Sequence, residues 1–121
     1  MKVKKVQIRI KSIETSLEEA KKTMKMIDQG EHIKKEVGVY FTSFEAFRKA
    51  LTPKRIELLH LIKTRSPKSI KELAEIAQRD MKNISEDVKY LEQIGLIEKH
   101  DKDNGIMPFI NYDKLAIEIG F

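Results

Sequence analysis

The sequence predicts an α+β fold that is mostly α. Three observations carry that expectation: two adjacent helical patterns over residues 69–94, a strand-and-turn pattern directly after them, and isolated strand patterns near both ends of the chain. The central stretch is SIKELAEIAQRDMKNISEDVKYLEQIGLI, Ser69 to Ile97. In its first part Ile70, Leu73, Ala74 and Ala77 share one face of a helix by the three-and-four spacing rule, and in its second part Ile84, Val88, Leu91 and Ile94 do the same. Ser69 with Glu72 makes a capping box for the first helix. Asp80 is an N-cap candidate for the second, because its carboxylate can accept from the free N–H groups of the first turn. Gly95 supplies the left-handed residue that ends it. Leu96 to His100 then reads as a strand, and Asp103-Asn104-Gly105 favours a type I′ hairpin. Two helices joined by a tight connection form a helix-turn-helix, and one followed by a hairpin is a winged helix.

The remaining elements follow in order. Val6, Ile8 and Ile10 alternate with polar residues, the period of a strand with one buried face. Ile13, Leu17, Ala20, Met24 and Ile27 recur at spacings of 4, 3, 4 and 3, a helix with a narrow apolar seam like a coiled-coil stripe, ended by Gly30. Such a seam buries against one surface, either its own strand or a second subunit. Met24 and Met26 read as packing residues. Val37, Val39 and Phe41 suggest a second strand. Thr42 and Glu45 form a capping box for a short helix with Phe44 and Phe47 on its inner face. Thr52-Pro53 opens a further helix with proline at the permitted first position. Its Ile56, Leu58, Leu59, Leu61 and Ile62 are apolar on more than one side, so cover on two faces is expected, and Ser66-Pro67 breaks it. Leu115, Ile117 and Ile119 make a last strand. The expected division is an N-terminal strand-helix-strand extension over 1–41 and a winged helix-turn-helix domain with a C-terminal strand over 42–121.

Composition narrows the function classes. With 121 residues, 40% hydrophobic, the chain can build a core. No apolar run approaches the roughly 18 residues of a membrane span, and MKVKKVQIRIK lacks the apolar centre of a signal peptide. The absence of cysteine excludes disulfide and thiol chemistry and makes a cytoplasmic location the default. The net charge of +5 is unevenly placed. Residues 1–52 carry 12 Lys+Arg against 7 Asp+Glu, whereas residues 53–121 carry 12 of each. A DNA reader usually shows a basic footprint, so here it has to come from local placement or from the N-terminal arm.

Residues 51–97, with the phrases LTPKRIELL, SIKELA, DMKNISEDVKYLE and GLIEK, resemble MarR-like winged-helix transcriptional regulators. The whole chain, including VQIRI and the terminal MPFINYDKLAIEI, resembles a family of small prokaryotic predicted regulators associated with small toxin genes. The resemblance implies a DNA-binding repressor or antitoxin, with double-stranded DNA and a small toxin-like protein as partners. Two departures stand out. Ala77 and Gln78 occupy positions where a Leu-Gly pair is common, and the hairpin holds the charge-balanced set Glu98, Lys99, His100, Asp101, Lys102 and Asp103.

On that resemblance residues 80–94 are the recognition helix and 97–111 the wing. With Ile84, Val88, Leu91 and Ile94 inward, Lys82, Asn83, Ser85, Glu86 and Lys89 point outward. Asn can pair bidentately with adenine, Lys can reach guanine or phosphate, Ser can contact either, and Glu can accept from cytosine. Arg79 could hold a phosphate, and Lys99 and Lys102 could reach the duplex from the wing. An ordinary solvated face is the competing reading for each. His32, His60 and His100 are isolated, with no metal-site spacing, and His60, in an apolar helix, reads as a partly buried, hydrogen-bonded side chain. No phosphate-binding glycine loop or catalytic Ser/His/Asp set is visible, so neither an enzyme nor a cofactor is expected. The strands at opposite ends have no sequential hairpin partner, which with the α-helical seam points to a homodimer through the N-terminal strand and helix and the C-terminal strand. Recognition helices about 34–36 Å apart would then match half-sites one turn apart. Pairing of Val37–Phe41 with Val6–Ile10 inside one chain is the competing arrangement. The alternative function is a protein-interaction module or antitoxin that binds and neutralises a partner protein.

Overall fold

The computed structural model describes residues 4–30, 38–102 and 105–121. Among them the chain is an α+β fold of five helices and five strands: β1 (Lys5–Ile10), α1 (Ile13–Asp28), β2 (Gly38–Phe41), α2 (Phe44–Ala50), α3 (Pro53–Arg65), α4 (Ile70–Ala77), α5 (Met81–Gln93), β3 (Glu98–Lys102), β4 (Gly105–Phe109) and β5 (Lys114–Ile119). No helix among the described residues is long and apolar enough to cross a membrane. The described residues form two compact units, one of Lys4 with Leu51–Asp113, the other of Lys5–Ala50 with Lys114–Phe121.

In the first unit local chemistry sets each helix boundary. Thr52 Oγ1 accepts from the Arg55 N–H at 3.3 Å, and Pro53 stands in the first turn of α3, where its missing N–H costs nothing. Ser66 ends α3 in the left-handed region at φ 46°. Ser69 Oγ caps α4 by accepting from the Glu72 N–H at 3.0 Å. The Glu72 carboxylate accepts from the Lys68 N–H at 3.3 Å, so the return half of the expected box is made one residue earlier. Asp80 is the N-cap of α5, but its carboxylate makes no capping bond. At the far end Gly95, at φ 88°, lets two bonds close the helix: Gly95 N–H to Glu92 O at 3.0 Å and Leu96 N–H to Leu91 O at 2.9 Å.

α4 packs on α5 and on α3, and β4 lies against α3 and α4. The core contains Leu58, Leu59, Ile62, Leu73, Ile84, Val88, Leu91, Leu96 and Ile97, all buried. Each large aliphatic side chain so buried contributes about 1.5–3 kcal/mol of transfer free energy. α3 buries one broad face rather than two. At 100° per residue Leu58, Leu59 and Ile62 group together, while Ile56 and His60 fall on the far side and are exposed. His60 is therefore an exposed residue, not the partly buried one expected. β3 and β4 form an antiparallel hairpin with Lys102 opposite Gly105. The expected Asp103-Asn104 turn lies outside the described residues.

The second unit is built on a three-stranded parallel sheet in the order β2-β1-β5. A parallel neighbour needs a crossover, and α1 is the one between β1 and β2. The end strands that lacked sequential partners pair with each other, from Lys5↔Lys114 to Ile10↔Ile119. β2 pairs with β1 inside the same chain, as the competing arrangement had it; Val37 lies outside the described residues. Gly38 sits opposite Gln7, where a Cβ would fall 2.5 Å from the Gln7 carbonyl oxygen, so this register requires glycine. Ile8 and Ile10 are buried along the middle strand.

α2 is capped by Ser43, whose Oγ accepts from the Ala46 N–H at 3.1 Å; Thr42 is not the cap. Glu45 instead pairs with Arg48. Phe47 meets Phe41 edge-on at 5.8 Å, while Phe44 is exposed. The apolar seam of α1 is open: Ile13, Leu17 and Met24 are 61%, 59% and 67% exposed. Met24 and Met26 are thus not packing residues within the chain. Another face of α1 lines a cleft of about 350 Å³ through Ser16, Glu19 and Thr23, opposite Gln7, Arg9 and Lys11 of the sheet side. Lys11 is buried and pairs with Glu19, and this hydrogen bond holds the Glu19 carboxyl below its ordinary range. The Tyr40 hydroxyl donates to the Lys11 carbonyl at 3.1 Å and lies in hydrogen-bond contact with Ser16.

Candidate nucleic-acid interface

α5 separates its two faces cleanly. Ile84, Val88 and Leu91 are buried, and Lys82, Asn83, Ser85, Glu86 and Lys89 are all exposed. The exposed set holds two cations, one carboxylate, an amide and a hydroxyl, with Met81 also exposed at the N-terminal end. These donors and acceptors stand on a helix fixed by core packing on its other side, so the backbone beneath them is held even though the side chains are solvated.

Arg79 does not belong to that open set. Its Nη2 donates to Asp87 Oδ2 at 2.7 Å, and the same carboxylate accepts from Arg55 Nε through Oδ1 at 3.1 Å. Arg79 Nη1 is buried without a hydrogen-bond acceptor among the described residues. The Arg55 guanidinium also stacks over the Tyr90 ring, 4.2 Å from its centroid. Asp87 therefore ties α3 and the α4–α5 connection to α5 at one point. Two guanidinium groups on one carboxylate in a setting only 15–22% exposed are worth more than a surface pair, because less solvent screens them. Asp87 is a site residue that the sequence expectations do not include. Its signal is present in hindsight: it lies three residues after Ile84 and four before Leu91, on the edge of the apolar stripe, where an acidic side chain needs a partner.

The connection itself turns on Gln78, which adopts the left-handed region at φ 55° and ends α4 where a glycine would carry no side-chain penalty. On the hairpin, Lys99 forms an ion pair with Glu92 of α5 at 3.2 Å. The His100 ring stacks on Phe109 at 4.8 Å. The Lys102 side chain lies outside the described residues. Lys99 is thereby tied to the C-terminal part of α5, whereas Lys82 and Lys89 stand exposed on that helix. At the base of the hairpin the Tyr112 hydroxyl donates to the Leu96 carbonyl at 2.7 Å, and burial pushes its pKa up. Asp113 accepts from the Lys4 backbone N–H at 2.8 Å and pairs with Lys63 at 3.2 Å; these two contacts hold its carboxyl below the usual range. No group of three or more His, Cys, Asp or Glu able to hold a metal ion occurs among the described residues.

One unit with a solvated polar face on α5, and a second built on a parallel sheet, define a small α+β protein of five described helices and five described strands. A family pattern narrows this further. The HVO_A0114 family matches residues 50–117, more than half of the chain, and the chain belongs to that family. The matched segment covers α3 to β4 and most of β5. No curated protein and no solved structure matches the chain.

Proposed function

We propose that this protein is a sequence-specific, double-stranded DNA-binding transcriptional regulator of the winged-helix type, acting as a dimeric repressor. α5 is the recognition helix and the β3–β4 hairpin the wing. The observation that supports this reading is the exposed row Lys82, Asn83, Ser85, Glu86 and Lys89 opposite a buried face on α5, a helix that follows α4 and precedes the β3–β4 hairpin. The row carries base-reading groups (Asn83, Ser85, Glu86) between two cations suited to guanine or phosphate. Arg79 serves the reading indirectly, by fixing the connection through Asp87 rather than by holding a phosphate. In this account the cytoplasm is the compartment and no enzymatic step is required.

The experiment is duplex binding at several salt concentrations, comparing the native upstream region with random sequence. Asn83→Ala should cost about 1–3 kcal/mol at the specific site and relax base preference there. Lys82→Ala should weaken binding evenly across sequences and make the salt slope shallower. Upstream affinity that never exceeds random-duplex affinity overturns the reading. The zero charge balance of residues 53–121 favours a second one, an antitoxin-like module that binds a small toxin-like protein. A partner-binding module shows no steep loss of duplex affinity with salt, because it releases no counterions from phosphates.

A further inference from the structure

The open stripe of α1 and the charges beside it identify a partner. Ile13, Leu17, Ala20 and Met24 recur at intervals of four, three and four, the seam of a two-helix coil, and all four are exposed. The sheet side of the helix is the adjoining face, which carries Ser16, Glu19 and Thr23 over the cleft, with the exposed Ala20 at the border between cleft and stripe. At 100° per residue Glu14, Glu18, Lys21 and Lys25 fall together on the flank of the stripe away from that cleft, and all four are exposed. Their order along the axis is acidic, acidic, basic, basic.

A second copy lying antiparallel reverses that order. With Ala20 at the two-fold axis, Leu17 of one copy meets Met24 of the other. Glu14 then lies beside Lys25 and Glu18 beside Lys21, and symmetry repeats each pair. Asp28, on the same flank, comes to the N-terminus of the opposite helix, where negative charge is favoured. In a two-fold antiparallel pair like flanks face each other, so the charged flank meets its own complement. A parallel pair would set this flank against the Ser16–Thr23 side, which is turned to the sheet and holds no matching row. The small side chain at residue 20 permits close approach at the crossing.

We infer that α1 is the self-association surface of this protein, pairing antiparallel with α1 of a second copy about an axis near Ala20. This names the contact behind the two-copy reading above and rests on that part of it, but not on DNA binding. The test is sedimentation without DNA across the micromolar range. The wild-type chain of 14.1 kDa sediments at twice that mass. The double variants E14K/E18K and K21E/K25E each sediment as monomers with unchanged helix content, and their equimolar mixture recovers the dimer, because at positions 14, 18, 21 and 25 one helix is then wholly basic and the other wholly acidic. A monomeric wild type, a dimer formed by either variant alone, or a mixture that stays monomeric overturns the inference.

The chain has no cysteine, so single thiols report the direction of pairing. Ala20→Cys cross-links to itself on oxidation. Ile13→Cys does not, because its two copies stand about 21 Å apart along the axis at 1.5 Å per residue. Cross-linking at residue 13 as efficient as at residue 20 rejects the antiparallel arrangement. Duplex binding of the same samples separates the two proposals. Specific binding by a monomeric wild type leaves the regulator standing and removes this interface; a dimer without specific binding does the reverse.

Discussion

α5 and α1 are written in the same pattern and end in opposite environments. Both carry apolar residues at three-and-four spacing. In α5 that row, Ile84, Val88 and Leu91, is at most 1% exposed, whereas in α1 Ile13 and Leu17 stay 61% and 59% exposed. The contrast extends to the units that contain them. Residues 51–113 close around their own aliphatic core. In the unit of residues 5–50 with 114–121, Ile117 and Ile119 on the edge strand also remain open. Periodicity reports which face of an element is apolar. What covers that face depends on neighbours brought in by topology, which spacing does not encode.

The largest test of this contrast is a matched pair of truncations. Leu91→Ala removes a side chain with no exposed surface and should cost about 2–5 kcal/mol in chemical denaturation. Leu17→Ala should change the stability of dilute protein by no more than about 0.5 kcal/mol. Comparable losses would erase the distinction between the helices.

Gly38→Ala asks whether the sheet unit depends on backbone register more than on core. The added methyl meets the Gln7 carbonyl at 2.5 Å. A forced shift of β2 against β1 should cost about 1–3 kcal/mol, the range of overpacking, with faster amide exchange along β1 as the local signature. Unchanged exchange there would show that the register has slack.

Tyr112 sharpens the picture of the helical unit. Its hydroxyl keeps its proton in the fold because burial raises its pKa above the ordinary 10.0. A raised folded value means the contribution is complete below about pH 10 and is lost as pH climbs beyond it. Tyr112→Phe should lower stability at neutral pH by about 1 kcal/mol through the lost bond to Leu96. It should also flatten the alkaline fall in a melting series between pH 9 and about 11.5. The smallest expected effect has the opposite sign. Gln78→Gly relieves a left-handed side-chain penalty and should stabilise by up to about 1 kcal/mol, after allowing for the freer unfolded chain.

Much of this architecture was legible in the residues. The three-and-four rows of α4 and α5, Thr52-Pro53, Ser66-Pro67 and Gly95 mark helices and their ends through local chemistry, and the structure follows them. Boundaries shifted where neighbouring residues could serve one role: Ser43 rather than Thr42 caps α2, and the strand expected over Leu96–His100 runs from Glu98 to Lys102. The outward set on α5 was equally readable, since it is the complement of the buried row. Less legible was anything decided by distant partners. The alternation at Val6–Ile10 announces a strand but not the two neighbours it finds at 38–41 and 114–119. Arg79 looks like a free cation until Asp87, eight residues on, is folded back beside it. The exposure of Ile56 and His60 could be read from the helical angle, yet the number of apolar residues in α3 suggested a second cover.

The sheet order has a consequence in time. In synthesis β1 precedes β5, and its pairing cannot be completed until β5 arrives: Lys4 and Asp113, which adjoin the pairing, are 109 positions apart in sequence. Closing so long a loop carries an entropic cost that local contacts do not share, and folds rich in distant pairings assemble slowly. The helices of residues 51–113 find their partners at shorter separations, as α4 does on α5 and α3, and can form during synthesis. On this ordering a nascent chain holds a finished helical unit while its first strand still waits with an open edge, the interval in which strand-to-strand aggregation is most accessible.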